Sequence, residues 1–380
     1  MRDFVILADD LTGAADTAAM FASEVTVPTV YFGTGCARAP LPSTITAYSL
    51  ATRDLQPEAA DMAWKSLAPE AAELGTPYLK VDSTLRGNVY ASMLALSRAT
   101  NVAAILLCPA FPQQHRVVRG DWVLVGGREY LNIRELLRSQ GCTHVETVSS
   151  PGECLALLRE NACSLRVSSP LVLAASAESD GDLAMWANLV KSSTASLVPA
   201  GSAGLACALA SIRTLERSAP VFSPLAGTHR RLIFVIGSTT AVSRDQCRRL
   251  RERSDVRQVC SLPCAPGDWT AGDLPEAPHL LWTTHDLAKG DVGFLPVPAS
   301  LLLPDEFTTL VLSGGDTAER LLVAAGYSQM SVVGHISPGI AATQVQAGRP
   351  WNVILKSGSF GDEYSLCQIL DALVTKLVSD

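Results

Sequence analysis

Leu312-Ser313-Gly314-Gly315-Asp316-Thr317-Ala318-Glu319-Arg320-Leu321-Leu322 decides how the rest of the chain is read. The apolar run Leu310-Val311-Leu312 ends in a serine, two glycines and an Asp-Thr pair, and an amphipathic pattern continues through Ala325. That succession predicts strand, tight loop and helix. Consecutive glycines let backbone N–H groups converge with no side chain in the way, and the helix points its positive end at the same place. Such an arrangement suits a polyphosphate. An ordinary βα turn that needs glycine for a positive φ carries the same letters, so the rest of the chain has to decide.

The device recurs in the C-terminal half. The apolar run Leu232–Ile236 leads into Gly237-Ser238-Thr239-Thr240 and a helix expected from about Ala241 to Glu252. Trp351–Leu355 leads into Lys356-Ser357-Gly358-Ser359-Phe360-Gly361, after a turn at Ile336-Ser337-Pro338-Gly339-Ile340. Strand ends in the N-terminal half carry different chemistry. Phe4–Ala8 runs into Asp9-Asp10-Leu11-Thr12-Gly13 and an alanine-rich helix to about Ser23. Asp10 or Thr12 can cap that helix, but a cap does not account for Asp9 at the end of a buried strand.

Tyr78–Val81 runs into Asp82-Ser83-Thr84-Leu85-Arg86-Gly87-Asn88 and a helix to about Ala99. Lys80, Asp82, Ser83, Thr84 and Arg86 thus place two cations, an acid and two hydroxyls within seven residues. A strand period of two would aim Lys80 and Asp82 at one face. In an open parallel sheet, the C-terminal ends of strands are where ligands bind.

A third strand, Ala103–Cys108, is stopped by the prolines of Pro109-Ala110-Phe111-Pro112. Beyond it Arg116, Arg119 and the Gly126-Gly127 turn fall in a segment expected to be irregular, able to close over a site or to do nothing. Residues 128–200 alternate helix and strand, and Ala200-Gly201-Ser202-Ala203-Gly204 opens a helix to about Ile212. The stretch 218–227, with two prolines and a glycine, reads as an interdomain linker. Residues 262–304 hold seven prolines and no clear period. The expected architecture is α/β: two domains, residues 1–218 and 229–380, each with a largely parallel sheet flanked by helices, and a ligand cleft between them.

Composition narrows the function. With 380 residues, 48% hydrophobic, and a formal charge of -7, there is no basic field for nucleic acid. The ten cysteines are scattered, many inside apolar runs, as in a reducing cytosol. Asp9 and Asp10 interrupt what would be the core of a signal peptide, and no apolar run approaches the ~20 residues of a membrane span. A cytoplasmic protein is expected, with its oligomeric state open and a homodimer compatible. Cys260 and Cys264 lack the further ligands of a zinc site. There is no G-x-x-x-x-G-K-[ST] loop, and Gly33-Thr34-Gly35-Cys36-Ala37-Arg38 lacks the third glycine of a dinucleotide fingerprint. That gap counts against a sugar-acid dehydrogenase.

Seven ordered segments resemble those of the four-carbon acid sugar kinases over nearly the whole chain. They are Ala8–Ala14, Lys80–Gly87, Pro109–Pro112, Ala200–Gly204, Ile236–Ser238, Gly314–Thr317 and Lys356–Gly361. The resemblance implies an N-terminal sugar-acid-binding domain and a C-terminal nucleotide-binding domain. It further implies ATP-dependent phosphorylation of the terminal hydroxyl of threonate, erythronate or a 3-oxo-tetronate. By the same resemblance, ATP would contact Ser238, Gly314, Gly315, Asp316, Thr317 and Gly358. Two departures mark this chain: His115 stands where a glycine is expected, and the chain is shorter than many members between Ser238 and Gly314.

Phosphoryl transfer needs positioning and charge neutralisation above all. Magnesium takes oxygen ligands and keeps several waters, so one or two carboxylates suffice, with Asp316 the nearest candidate. The base would be Asp9, Asp10 or Asp82, with Asp9 preferred because it ends the first strand. Lys80 and Arg86 suit the substrate carboxylate or the migrating phosphoryl group. Thr12, Ser83 and Thr84 complete the substrate side. A catalytically silent nucleotide and sugar-acid sensor would keep the glycine loops and lose these acids and cations, which are all present.

Overall fold

The computed structural model describes residues 4–23, 25–33, 36, 45–193, 197–213, 231–259, 277–283, 308–347 and 349–374. The expected linker at 218–227, the Cys260/Cys264 pair and most of the proline-rich stretch and of the 33–38 segment lie outside the described residues. In the N-terminal half, strands β1 (Phe4–Ala8), β2 (Thr29–Tyr31), β3 (Thr46–Ser49), β4 (Thr76–Lys80) and β5 (Ala104–Cys108) are joined with helices α1 (Leu11–Ala19), α2 (Pro57–Leu74) and α3 (Val89–Thr100). Strands β6 (Arg116–Arg119), β7 (Trp122–Val125) and β8 (Arg128–Asn132) follow. Then come α4 (Ile133–Ser139), β9 (Val145–Val148), α5 (Pro151–Glu160), β10 (Leu171–Ala175), α6 (Asp180–Ser193), β11 (Val198–Gly201) and α7 (Ala203–Arg213).

The C-terminal half holds β12 (Arg231–Ile236), α8 (Ala241–Arg251), β13 (Val256–Val259), β14 (His279–Thr283), β15 (Thr308–Ser313) and α9 (Gly315–Ala324). An antiparallel meander of β16 (Gln329–Ser337), β17 (Ile340–Ala347) and β18 (Arg349–Lys356) precedes α10 (Ser365–Val374).

The α/β expectation holds, and the two sheets turn out to be one. Fifteen strands run in the order β13-β14-β12-β15-β18-β17-β16-β2-β3-β1-β4-β11-β5-β10-β9. All pairs are parallel except β17 with its two neighbours and β16 with β2. The halves join where Gln329, Met330 and Ser331 of β16 pair antiparallel with Tyr31, Val30 and Thr29 of β2. Strand order reverses at β1, which lies between β3 and β4, and again at β12, between β14 and β15. Crevices open at such switch points, which puts Asp9 and Asp10 at one of them.

Helix α1 explains how two halves share a core. All nine of its residues are buried, and it packs on β1 and β3 on one side and on α9, β16 and β17 on the other. An alanine-rich sequence suits a helix enclosed all round, because small side chains let neighbours approach from every direction. Its last turn tightens to i→i+3 bonds, such as Met20 N to Thr17 O at 3.2 Å, so it ends at Ala19 rather than near Ser23. One apolar cluster accordingly runs from Leu7 and Ala15 to Leu312, Val332 and Trp351. A smaller one under α8 and α10 includes Phe234, Ile354 and Leu370.

Three further points depart from the sequence reading. Residues 116–132 are not irregular: β6, β7 and β8 form a three-stranded antiparallel sheet whose Gly126-Gly127 turn has positive φ at both glycines. Strand β4 ends at Lys80, so Asp82 lies in the following loop, where no strand alternation applies. Strand β14 lies inside the proline-rich stretch that shows no clear period, its short run Leu280-Leu281-Trp282 obscured by Pro278 just before it.

The shared core predicts one cooperative unfolding unit. Differential scanning calorimetry should show a single transition with calorimetric and van't Hoff enthalpies in agreement. Two transitions separated by about 10 °C or more would contradict it.

Candidate functional site

Asp10 is the N-cap of α1, its Oδ1 accepting from Gly13 N at 2.9 Å and its Oδ2 from the Thr12 hydroxyl at 2.8 Å. Arg53, in the turn after β3, lies across both adjacent acids. It donates from Nε and Nη2 to Asp9 at 2.9 and 2.6 Å, and from Nη1 and Nη2 to Asp10 at 2.7 and 2.9 Å. Burial pushes the Asp9 carboxyl up and outweighs the Arg53 charge, which acts downward. Burial also acts upward on Asp10, but there Arg53, Lys80 and the Thr12 hydroxyl prevail and hold it below the usual range. Burial thus dominates at Asp9 and the neighbouring cations at Asp10.

The loop after β4 is built around Asp82, whose Oδ2 accepts from Thr84 N at 2.9 Å and from the Thr84 hydroxyl. Arg86 closes the loop with an ion pair to Asp82 at 2.8 Å. Burial would raise Asp82, yet the bond from Arg86 and the charges of Arg53, Arg86 and Lys80 hold it well below the carboxylate range. Lys80 is buried and donates to Val81 O at 2.8 Å.

Across from these groups stand the three Gly/Ser loops, bonded to one another. Gly237 N reaches Ser313 O at 2.9 Å and Gly314 N reaches Lys356 O at 3.1 Å. The hydroxyls of Thr240 and Ser243 both donate to Gly358 O, at 3.1 and 2.7 Å. Gly314 caps α9 with φ at 107°, a conformation reserved for glycine. Gly315 is needed for another reason: a Cβ there would lie 2.3 Å from Asp10 Oδ2. The acid of one half therefore abuts the first turn of α9 in the other, where the N–H groups of Gly315, Asp316 and Thr317 have no acceptor among the described residues.

A cavity of about 520 Å³ lies between these walls. Of the residues singled out in the sequence, Asp9, Asp10, Thr12, Lys80, Asp82, Arg86, Ser238, Gly314, Gly315, Asp316, Thr317 and Gly358 line it. Ser83 and Thr84 do not: Ser83 is turned to Arg116, and Thr84 to Asp82. Asp316 is exposed and paired with Arg320 at 3.0 Å. No cluster of three metal-ligating side chains occurs among the described residues.

Arg53, Asp16 and Glu319 are the lining residues of most chemical weight that escaped the sequence reading. Arg53 sits in Ala51-Thr52-Arg53-Asp54, which has no motif of its own. Asp16, on α1, accepts from Gly339 N of the other half at 2.8 Å, and burial lifts it to about 6. Glu319, on α9, accepts from the Ser49 hydroxyl at 2.6 Å and from Gly33 N at 3.4 Å, and burial lifts it to about 7. Both read in sequence as ordinary positions of a helix; the signal that could have found them is an acid on an otherwise small or apolar helix face.

Similarity to known proteins agrees with this two-sided cleft. The model of a sugar-binding N-terminal domain matches residues 4–209, and that of a nucleotide-binding C-terminal domain matches residues 297–366. The chain belongs to the four-carbon acid sugar kinase family. A D-threonate kinase of Cupriavidus necator is 30% identical to it, over 97% of this chain and 98% of its own. A 3-oxo-tetronate kinase of Burkholderia multivorans is 24% identical over 93% and 94%. A solved structure from Salmonella typhimurium LT2 superposes with a TM-score of 0.72 at 19% identity, covering 97% of this chain and 98% of that one, and bears on the fold alone. Among the described residues no helix is long and apolar enough to cross a membrane.

Glu319 supplies a pH test. Its carboxyl is lifted from 4.5 to about 7, so its contribution to stability is present below about pH 4.5 and lost as the pH rises through 7. Glu319→Gln should therefore gain on the wild type between pH 5 and pH 8, by roughly 3 kcal/mol at ~1.4 kcal/mol per pKa unit. Urea denaturation at the two pH values reads this, and a difference independent of pH would count against it.

Proposed function

We propose that the protein is an ATP-dependent kinase that phosphorylates the terminal hydroxyl of a four-carbon sugar acid of the threonate, erythronate or 3-oxo-tetronate type. One observation carries the reading: a single cavity is walled on one side by paired acids and cations and on the other by the α9 N-terminus and its Gly/Ser loops. Residues 1–218 are assigned to the sugar acid and 229–380 to the nucleotide.

In this reading the first-turn N–H groups of α9, with Ser238, Gly314, Gly315, Asp316, Thr317 and Gly358, take the polyphosphate. Lys80 and Arg86 take the substrate carboxylate or neutralise the migrating group, with Thr12 beside them. Asp9 accepts the proton of the attacking hydroxyl. The lifted proton affinity of Asp9 beside a depressed Asp10 favours that division of labour, since environments that push two acids apart mark acid and base roles. Arg53 fixes both carboxylates, and Asp82 orients Arg86. Ser83 and Thr84 act behind the wall by shaping the loop.

Magnesium fits the donor set present. Asp316 stands at the mouth of the α9 turn, and its exposed ion pair with Arg320 costs little to exchange. A site with one carboxylate and no three-ligand cluster suits an ion held mainly by phosphate oxygens and water. Bound there, it would neutralise charge on the terminal phosphates.

Two substitutions test the division of roles. Asp9→Asn should lower kcat by about 10²–10⁴-fold with little change in the KM for ATP. Asp316→Asn should raise the KM for ATP or the magnesium requirement instead. Both are read as ADP release against a panel of threonate, erythronate and 3-oxo-tetronate isomers, after melting curves show the variants folded. Near-normal turnover of Asp9→Asn, or an Asp316→Asn effect confined to the sugar-acid KM, sinks the assignments; no activity of the wild type on any acid favours a sensor.

A further inference from the structure

Behind the cleft wall, one side chain touches both sides of it without entering it. Arg116 opens β6 directly after His115, whose φ of 54° places it in the left-handed region where glycine is favoured. That turn and the backbone bonds between Phe111 and Arg116, at 2.7 and 3.2 Å, fix where the side chain starts. Its guanidinium then donates from Nη1 to the Ser83 hydroxyl, in the loop that carries Asp82 and Arg86. From Nη2 it donates to Ser359 O at 3.1 Å and Ser359 Oγ at 3.2 Å, and its Cζ lies 4.2 Å from the centre of the Phe360 ring.

Arg116 is buried, and among the described residues no carboxylate comes within ion-pair distance of it. A buried cation satisfied only by neutral oxygens and a ring is costly to keep. Joining the halves does not require one: Gln114 spans the same seam with neutral bonds to Pro338 O at 3.1 Å and from Gly361 N at 3.3 Å. What the guanidinium adds is a planar fork that sets one loop in register with another. Ser359 and Phe360 line the cavity next to Gly358, while Ser83 adjoins Asp82.

We infer that Arg116 is a positioning residue that couples the two ligand sides of the cleft, fixing the Ser357–Gly361 loop against the Val81–Gly87 loop so that occupancy of one side prepares the other. The inference rests on the functional reading above. Coupling of this kind is reciprocal: a bound sugar acid tightens nucleotide binding by the factor by which nucleotide tightens the acid.

The test is calorimetry with ADP, which allows a ternary complex without turnover, in the absence and presence of saturating D-threonate or whichever acid of the panel the wild type turns over. The wild type should bind ADP at least about fivefold more tightly with the acid present, the lower end of typical coupling. Arg116→Ala should bind each ligand alone within about threefold of the wild type and lose the coupling. Arg116→Lys keeps the charge but lacks the fork, so it should lose the coupling too; it carries the test if the alanine variant does not fold. A role confined to stability would lower Tm in both and leave the coupling intact, which overturns the inference, as would full coupling in Arg116→Lys. A wild type that binds both ligands without coupling overturns it as well. A wild type that binds ADP and none of the acids removes the functional reading itself, and shows this before any variant is made.

Discussion

The guanidinium of Arg53 between Asp9 and Asp10 is the contact on which the arrangement of the cleft depends. Two adjacent carboxylates buried at the end of a strand repel each other and lose hydration, and either cost alone would favour protonation. Arg53 counters both with four donated hydrogen bonds, only in part at Asp9, where burial prevails, and fully at Asp10 with the help of Lys80 and Thr12. Asp10 stays ionised as a result, which lets it cap α1 and face the first turn of α9, where a negative group is favoured. The same ion that completes the site thus helps fix the helix around which both halves pack.

That helix also sets how the cleft can behave. The walls belong to halves joined by the β2–β16 pairing, by α1 and by the bonds of Asp16 to Gly339 and Glu319 to Ser49. A continuous sheet joins the two walls, so packing across it holds the acids opposite the Gly/Ser loops. Preorganisation of that kind is what phosphoryl transfer asks of a protein. The loops at strand ends carry the candidate residues themselves.

How much of this could be read from the sequence follows the range of the contacts. The strand-loop-helix units at Phe4–Ala19, Thr76–Thr100 and Thr308–Ala324 are local, and their letters announced them because apolar runs, caps and glycines act over a few residues. Ten of the twelve residues picked from those units line the cavity, as do Ser238 and Gly358 from the other two Gly/Ser loops. Arg53 was invisible because its partners lie 43 and 44 residues away and nothing beside it forms a motif. The joining of the two sheets was equally hidden, since three-residue β2 has too few positions to show a period. The sheet of β6, β7 and β8 was missed for a different reason: its strands of four and five residues are broken by Gly120 and by the Gly126-Gly127 pair, and turn letters that frequent read as loop.

Charge poses the remaining problem for the proposed function, under which an acidic chain with Asp9, Asp10, Asp16, Asp82 and Glu319 around one cavity would accept an anionic acid and a polyphosphate. The structure answers in three ways. Asp10 and Asp82 are already matched by Arg53 and Arg86, so they present little free negative field. Asp16 and Glu319, lifted to about 6 and about 7 by burial, take up protons readily near neutrality. An arriving anion would raise them further, so part of its charge is met by protons drawn from solvent rather than by additional cations. The α9 N-terminus then contributes positive potential without any side chain. Net charge describes the surface of such a protein; what the cleft presents to an anion is decided by which of its acids are paired and which are ready to be neutral.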